Sequence, residues 1–223
     1  MKNHFCVYSH GFGVRKDDRG LFSDIAKAFP DFKHVMFDYN EFDESSNTLI
    51  ARPLDQQANI LSQQIEAVRQ EDPEAVIDII AHSQGCVVAS LAKPSKIRRI
   101  IFLAPPAQFL GLEKQDINSL RPNTVTDEDG TIHMPRRDGS TTIIKDDYWK
   151  SCEGIRPIEL YNTLGNLTDL TIITATKDEV LANIDFSGLM ESIRIIEQEA
   201  NHDFTGEYRE LLLEQITKVL QND

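Results

Sequence analysis

"AVIDIIAHSQG" occupies residues 75–85. Its first seven residues are apolar apart from Asp78 and rich in β-branched side chains, the composition of a strand buried on both faces. Ser83 stands at the end of the run, with Ala81 two places before it and Gly85 two places after. The next segment, "GCVVASLA" at 85–92, reads as a helix. A strand that turns sharply into a helix lifts the corner residue away from the sheet. It also crowds the positions two before and two after, where only small residues fit. Ala81 and Gly85 meet that need, so Ser83 is a candidate nucleophile. The backbone N–H of Gln84, at the helix start, is then aimed at the place where negative charge would develop.

Outward from this turn, strand and helix patterns alternate. Strands are expected at 4–9 ("HFCVYS"), 34–39 ("HVMFDY"), 75–81, 97–104 ("IRRIIFLA"), 170–176 ("LTIITAT") and 192–198 ("SIRIIEQ"). Helices are expected at 21–29, stopped by Pro30, from Pro53 onward with Leu54, Ala58, Leu61, Ile65 and Val68 on one face, at 85–92, and at about 205–221. Six such strands joined by helical crossovers predict an α/β fold: a mostly parallel six-stranded sheet with helices on both faces.

Residues 105–168 interrupt this rhythm. Two stretches, "TVTDEDGTIHM" and "MPRRDGSTTII", set alternating residues around Asp-Gly turns. They predict a β-hairpin or three-stranded meander, followed by a helix near "PIELYNTLGNL". The expected organisation is a core of 1–104 and 169–223 with 105–168 inserted as a cap, too polar to join the core and seated on the surface. Phe109, Leu110, Tyr148 and Trp149 are its candidate substrate-wall residues, with Phe109, Tyr148 and Trp149 as substrate-binding candidates.

A serine nucleophile needs a base, and the base needs an acid to hold its tautomer. Of the six histidines, His202 in "EANHDF" follows the last expected strand and precedes the last helix, at the sheet edge where sites of such folds gather. His82 adjoins Ser83, but successive turn residues point apart, so a structural role is expected for it. Asp178 in "TATKDEV" follows the preceding strand and is the leading acid, ahead of Glu179 and Asp185. Asp203 adjoins His202 and is badly placed to reach its ring. "SHGFG" at 9–13 ends the first strand with a glycine turn. The N–H of Phe12 is there the expected second oxyanion donor beside that of Gln84.

Composition narrows the partners. A formal net charge of -13 disfavours nucleic acid and anionic membranes. The start of the chain shows neither the apolar core nor the cleavage site of a signal peptide, and no run reaches the length of a membrane helix. Cys6, Cys86 and Cys152 match neither a metal-ligand spacing nor a disulfide framework. The expectation is a cytoplasmic monomer or homodimer with a small-molecule ester as substrate, no cofactor and no metal.

At "HGFG", "AHSQG", "TKDEV" and "NHDF", in that order, the chain resembles the α/β-hydrolase superfamily, and the likeness spans essentially its whole length. "HGFG", "RG-LF", "VVASLA", "FLAPPA" and the hairpin-bearing insertion are similar to the cinnamoyl/feruloyl-esterase branch of small carboxylesterases. The resemblance implies a serine hydrolase working through Ser83, His202 and Asp178. Carboxylesterase leads; thioesterase, amidase or peptidase, and carbon–carbon hydrolase share the same triad, and a non-catalytic binding protein of hydrolase fold is the alternative outside enzymes. Serine at position 83 disfavours a haloalkane dehalogenase, and the polar insertion disfavours a long-chain lipase. Four departures stand out. Ala81 replaces the usual Gly, and Cys86 replaces a frequent second Gly. The Asp-x-x-Gly-x-Gly turn is missing after "HVMFDY", and the two leading strands of the full family sheet are expected to be absent.

Overall fold

The main sheet is built from β1 (His4–Ser9), β2 (Lys33–Val35), β5 (Val76–His82), β6 (Arg99–Leu103), β10 (Asp169–Ala175) and β11 (Arg194–Gln198). In the computed structural model, which describes residues 2–108, 121–136, 138–181 and 184–221, its order is β11-β10-β6-β5-β1-β2. Every neighbouring pair is parallel. The helices are α1 (Leu21–Ala28), α2 (Leu54–Glu71), α3 (Gln84–Ala92), α4 (Asp146–Cys152), α5 (Pro157–Gly165) and α6 (Glu207–Gln221).

The strand period of two sorts side chains onto two cores. Phe5, Val7, Ile77, Ile79, Ile100, Phe102, Leu170 and Ile172 face α2, α3 and α5. Cys6, Tyr8, Ile80, Ile101, Leu103 and Ile173 face α1 and α6. Both faces are thus covered, which is why these strands read as continuous apolar runs rather than alternating ones. Asp78 interrupts the run and is fully buried at the N-terminal end of the sheet. It is satisfied there by Arg98, at 3.0 and 2.6 Å, and by His4 at 2.6 Å.

A second sheet has the order β3-β4-β9-β8-β7, from β3 (Glu41–Asp43), β4 (Thr48–Ile50), β7 (Val125–Thr126), β8 (Ile132–Pro135) and β9 (Thr141–Ile144). The last three form the expected meander. Three features depart from the sequence reading. Residues 34–39 are strand only as far as Val35, and the β3–β4 hairpin appears where no element was expected; β4 pairs in parallel with β9 and extends the sheet. The meander is also not merely a surface feature, because Ile132, Met134 and Ile144 are buried in the core that α2 and α3 share. Its alternation puts these three inward, and polarity averaged over the segment concealed that face. Among the described residues, no helix is long and apolar enough to cross a membrane.

Candidate active site

The turn between β5 and α3 carries Ser83 at φ 53° and ψ -127°, a region that non-glycine residues avoid. The surrounding structure holds it there. The Ser83 N–H donates to the Leu103 carbonyl at 2.9 Å, and the Ser83 carbonyl accepts from Cys86 N at 3.0 Å. Gly85 lies against the first strand so closely that an added Cβ would sit 2.1 Å from the Ser9 carbonyl oxygen, so no other residue fits. Ser9 locks the contact by donating its hydroxyl to the Gly85 carbonyl at 2.8 Å. Within 81–90, Ser83 is the one residue that is not buried.

His202 lies between two partners. Its Nε2 is 3.0 Å from Ser83 Oγ and its Nδ1 is 2.6 Å from Asp178 Oδ2. The other Asp178 oxygen accepts the N–H groups of Val180 and Leu181 at 2.8 and 2.7 Å. Burial raises the Asp178 carboxyl, but these donors and the His202 ring outweigh it and hold it below its ordinary value. An ionised carboxylate fixes the proton on His202 Nδ1 and leaves Nε2 free to accept the serine proton. Glu179, the second choice for the acid, instead accepts the His202 backbone N–H at 3.1 Å. Asp185 caps its own turn by accepting Ser187 N. Asp203 is held by Arg19 through two bonds of 2.9 and 2.8 Å.

A second histidine–carboxylate pair flanks the first. His82 Nδ1 meets Asp18 Oδ2 at 2.8 Å, and His82 Nε2 meets the His202 carbonyl at 3.0 Å. Asp18 Oδ2 also accepts Gly11 N at 2.9 Å. The pair therefore ties the loop after β1 to the loop that carries His202. Burial alone favours a neutral His82, but the Asp18 carboxylate more than reverses this and raises its pKa. Burial likewise opposes the Asp18 charge, yet His82 and the Gly11 N–H bring it to about 2. The sequence reading assigned His82 a structural role but did not find Asp18. No local signal marks it within "RKDDRG", because its partner is 64 residues away.

The loop after β1 runs beside Ser83: a Cβ on Gly11 would lie 3.3 Å from Ser83 Cβ. Phe12 follows directly. Gln84 opens α3, and the first N–H groups of a helix have no acceptor within it. The Gln84 side chain is buried and oriented by a relay. The Tyr148 hydroxyl donates to Gln84 Oε1, Gln84 Nε2 donates to Gln57 Oε1 at 3.2 Å, and Gln57 Nε2 donates to the Arg52 carbonyl at 2.6 Å. Tyr148 also packs its ring 5.3 Å from that of Phe12 and 5.4 Å from that of Trp149. The structure thus brings Tyr148 to both candidate oxyanion donors. Trp149 is half-buried against the core, and its buried indole N–H has no partner among the described residues. Phe109 and Leu110 lie outside the described residues.

Among the described residues, one cluster has potential metal-binding donors, His82, His202 and Asp203. Its donor atoms are already engaged with Asp18, the His202 carbonyl, Asp178, Ser83 and Arg19. They fit a hydrogen-bonded network better than a coordination sphere.

In sequence, the chain matches no protein-family model and no curated protein. Solved structures do match it. Est1E from Butyrivibrio proteoclasticus is 15% identical with a TM-score of 0.66, over 98% of this chain and 87% of that one. The Pyrococcus furiosus esterase Pf2001 is 13% identical with a TM-score of 0.69, over 99% and 82%. The enol-lactonase from Burkholderia xenovorans is 15% identical with a TM-score of 0.65, over 100% and 93%. The chain has the α/β-hydrolase fold.

Proposed function

We propose that this protein is a serine hydrolase that cleaves a small carboxylic ester. The observation that carries the reading is the placement of His202 between Ser83 Oγ and Asp178, at 3.0 and 2.6 Å, on a strained turn at the C-terminal edge of a parallel sheet. In this reading, His202 Nε2 takes the Ser83 proton as Oγ attacks the acyl carbon. The backbone N–H groups of Phe12 and Gln84 hold the oxyanion, and the imidazolium is stabilised by Asp178. His202 then protonates the leaving alcohol, and water, deprotonated by the same ring, releases the acid from the acyl-enzyme. The sequence needs no metal or cofactor.

Carboxylesterase is preferred among the triad chemistries because the structural neighbours include an esterase and an enol-lactonase. Residues 105–168 serve in this reading as a cap that contributes Tyr148 and Trp149 to the substrate wall. A cytoplasmic setting accords with three free cysteines, two of them buried. Incubating the folded protein with a fluorophosphonate should add one phosphonyl group, mapped by mass spectrometry to Ser83. An unmodified Ser83 would refute the nucleophile assignment.

A further inference from the structure

Arg136 lies just beyond β8, on the meander, and reaches back over the loop after β1. Its guanidinium donates to the Phe12 carbonyl through a long bond of 3.4 Å and stands 6.0 Å from the Phe12 ring centre. It also covers Gly13, where an added Cβ would lie 2.9 Å from Cζ and Nη1. Gly13 has φ +65°, so glycine is favoured there twice, by backbone and by the guanidinium packed on it.

This cation is anomalous in an acidic protein. The chain has 36 acidic and 23 basic residues. Arg52, Arg98, Arg156 and Arg209 each pair with a carboxylate. Arg136 forms no ion pair among the described residues, and one long bond to Phe12 leaves most of its five N–H donors without a protein acceptor there. Its surroundings add positive charge. Burial, together with the Arg19 and Arg121 guanidiniums, lowers the Arg136 pKa to about 10, still cationic at neutral pH. The nearby Asp203 is bound to Arg19, and Asp138 accepts from Ser140. A half-buried charge without a counter-charge is costly unless something else supplies the anion. A guanidinium fork matches a carboxylate in two-point geometry.

We propose that Arg136 is a specificity residue that binds a carboxylate on the substrate, so that the ester hydrolysed at Ser83 carries an anionic group remote from the scissile carbonyl. The assignment rests on the hydrolase reading and names its substrate class. It also accounts for the placement of the guanidinium on the loop that holds Phe12, one residue beyond Gly11, where an added Cβ would lie 3.3 Å from Ser83 Cβ.

Two matched pairs of esters test it by placing the charge on the acyl side, monomethyl adipate against methyl hexanoate, or on the alcohol side, 4-acetoxybenzoate against 4-methylphenyl acetate. The quantity read is the ratio of kcat/KM for the anionic ester to that for its neutral partner, which removes general effects on folding or catalysis. In one of the two pairs, Arg136→Met should lower this ratio by at least about tenfold relative to wild type, and Arg136→Lys should fall between. A ratio that changes less than about twofold in both pairs would overturn the proposal. Should wild type cleave none of the four esters, calorimetric titration with adipate and 4-hydroxybenzoate decides. Binding lost in Arg136→Met supports the site, and equal or absent binding refutes it. Failure of the hydrolase reading is separate, because it shows as no phosphonyl adduct on Ser83.

Discussion

The two histidine–aspartate pairs at the end of the main sheet have rings only 5.0 Å apart, yet their chemistry differs. Each imidazole Nδ1 faces a buried carboxylate, at 2.6 Å in His202–Asp178 and 2.8 Å in His82–Asp18. What separates them is the other nitrogen. His202 Nε2 faces the Ser83 hydroxyl, which can give up its proton, whereas His82 Nε2 faces a backbone carbonyl, which can only accept one. A histidine that donates from both nitrogens is held in one protonation state by its neighbours and acts as a brace. Adjacency in sequence to Ser83 is therefore no guide to which histidine meets its hydroxyl: His82 is adjacent and faces a backbone carbonyl, while His202 is 119 residues away and meets it.

The strongest way to break this comparison is to neutralise one carboxylate of each pair. Asp178→Asn should lower kcat on any cleaved ester by about 10⁴-fold by disturbing the His202 tautomer, with little change in urea midpoint. Asp18→Asn should do the reverse. It leaves a buried imidazole without its counter-charge and should cost about 3–5 kcal/mol in urea unfolding, with a loss in kcat below about a hundredfold. Equal catalytic losses in the two variants would dissolve the distinction between base and brace.

A finer test uses pH. The raised His82 pKa contributes stability that is complete below the ordinary value of 6.5 and is lost as pH rises through the folded value. The Asp18 pKa, brought from 3.8 to about 2, contributes stability that is present above 3.8 and lost as pH falls through about 2. The stability gap between wild type and Asp18→Asn should therefore be widest between about pH 4 and 6.5 and should narrow on both sides. Urea melts across this range check it, and a gap that is flat with pH would mean that the pair is not charged.

The smallest effect is expected at the exposed counterpart of the brace. Arg19 and Asp203 also join the β1 loop to the His202 loop, but the Arg19 side chain is 49% exposed. Arg19→Ala should cost no more than about 1 kcal/mol in the same melts. A cost matching that of Asp18→Asn would show that the surface link, not the buried one, holds the loops.

Much of the main fold was legible because it is encoded locally. The apolar runs of β1, β5, β6 and β10, the helical face that begins at Leu54 and the small residues flanking Ser83 are all read from neighbours in the chain. The placement of Ser83, Asp178 and His202 just past the ends of β5, β10 and β11 was also legible, because each follows an apolar or β-branched run closely in the chain. The β3–β4 hairpin escaped because each strand has three residues, too few to establish a period, and because its parallel partner β9 lies far along the chain. The burial of Ile132, Met134 and Ile144 escaped because the polar residues that alternate with them dominate the average.

By itself, the sequence determined which segments become strands and helices, and where a serine could be presented at a sharp turn, since these follow from periodicity and side-chain size over a few residues. Only the tertiary structure decided which carboxylate serves which histidine, that His82 braces the His202 loop through Asp18, and that Arg136 covers Gly13. These depend on contacts across 24, 64 and more than 100 residues, and charge and hydrogen bonding act through space with no period along the chain to announce them.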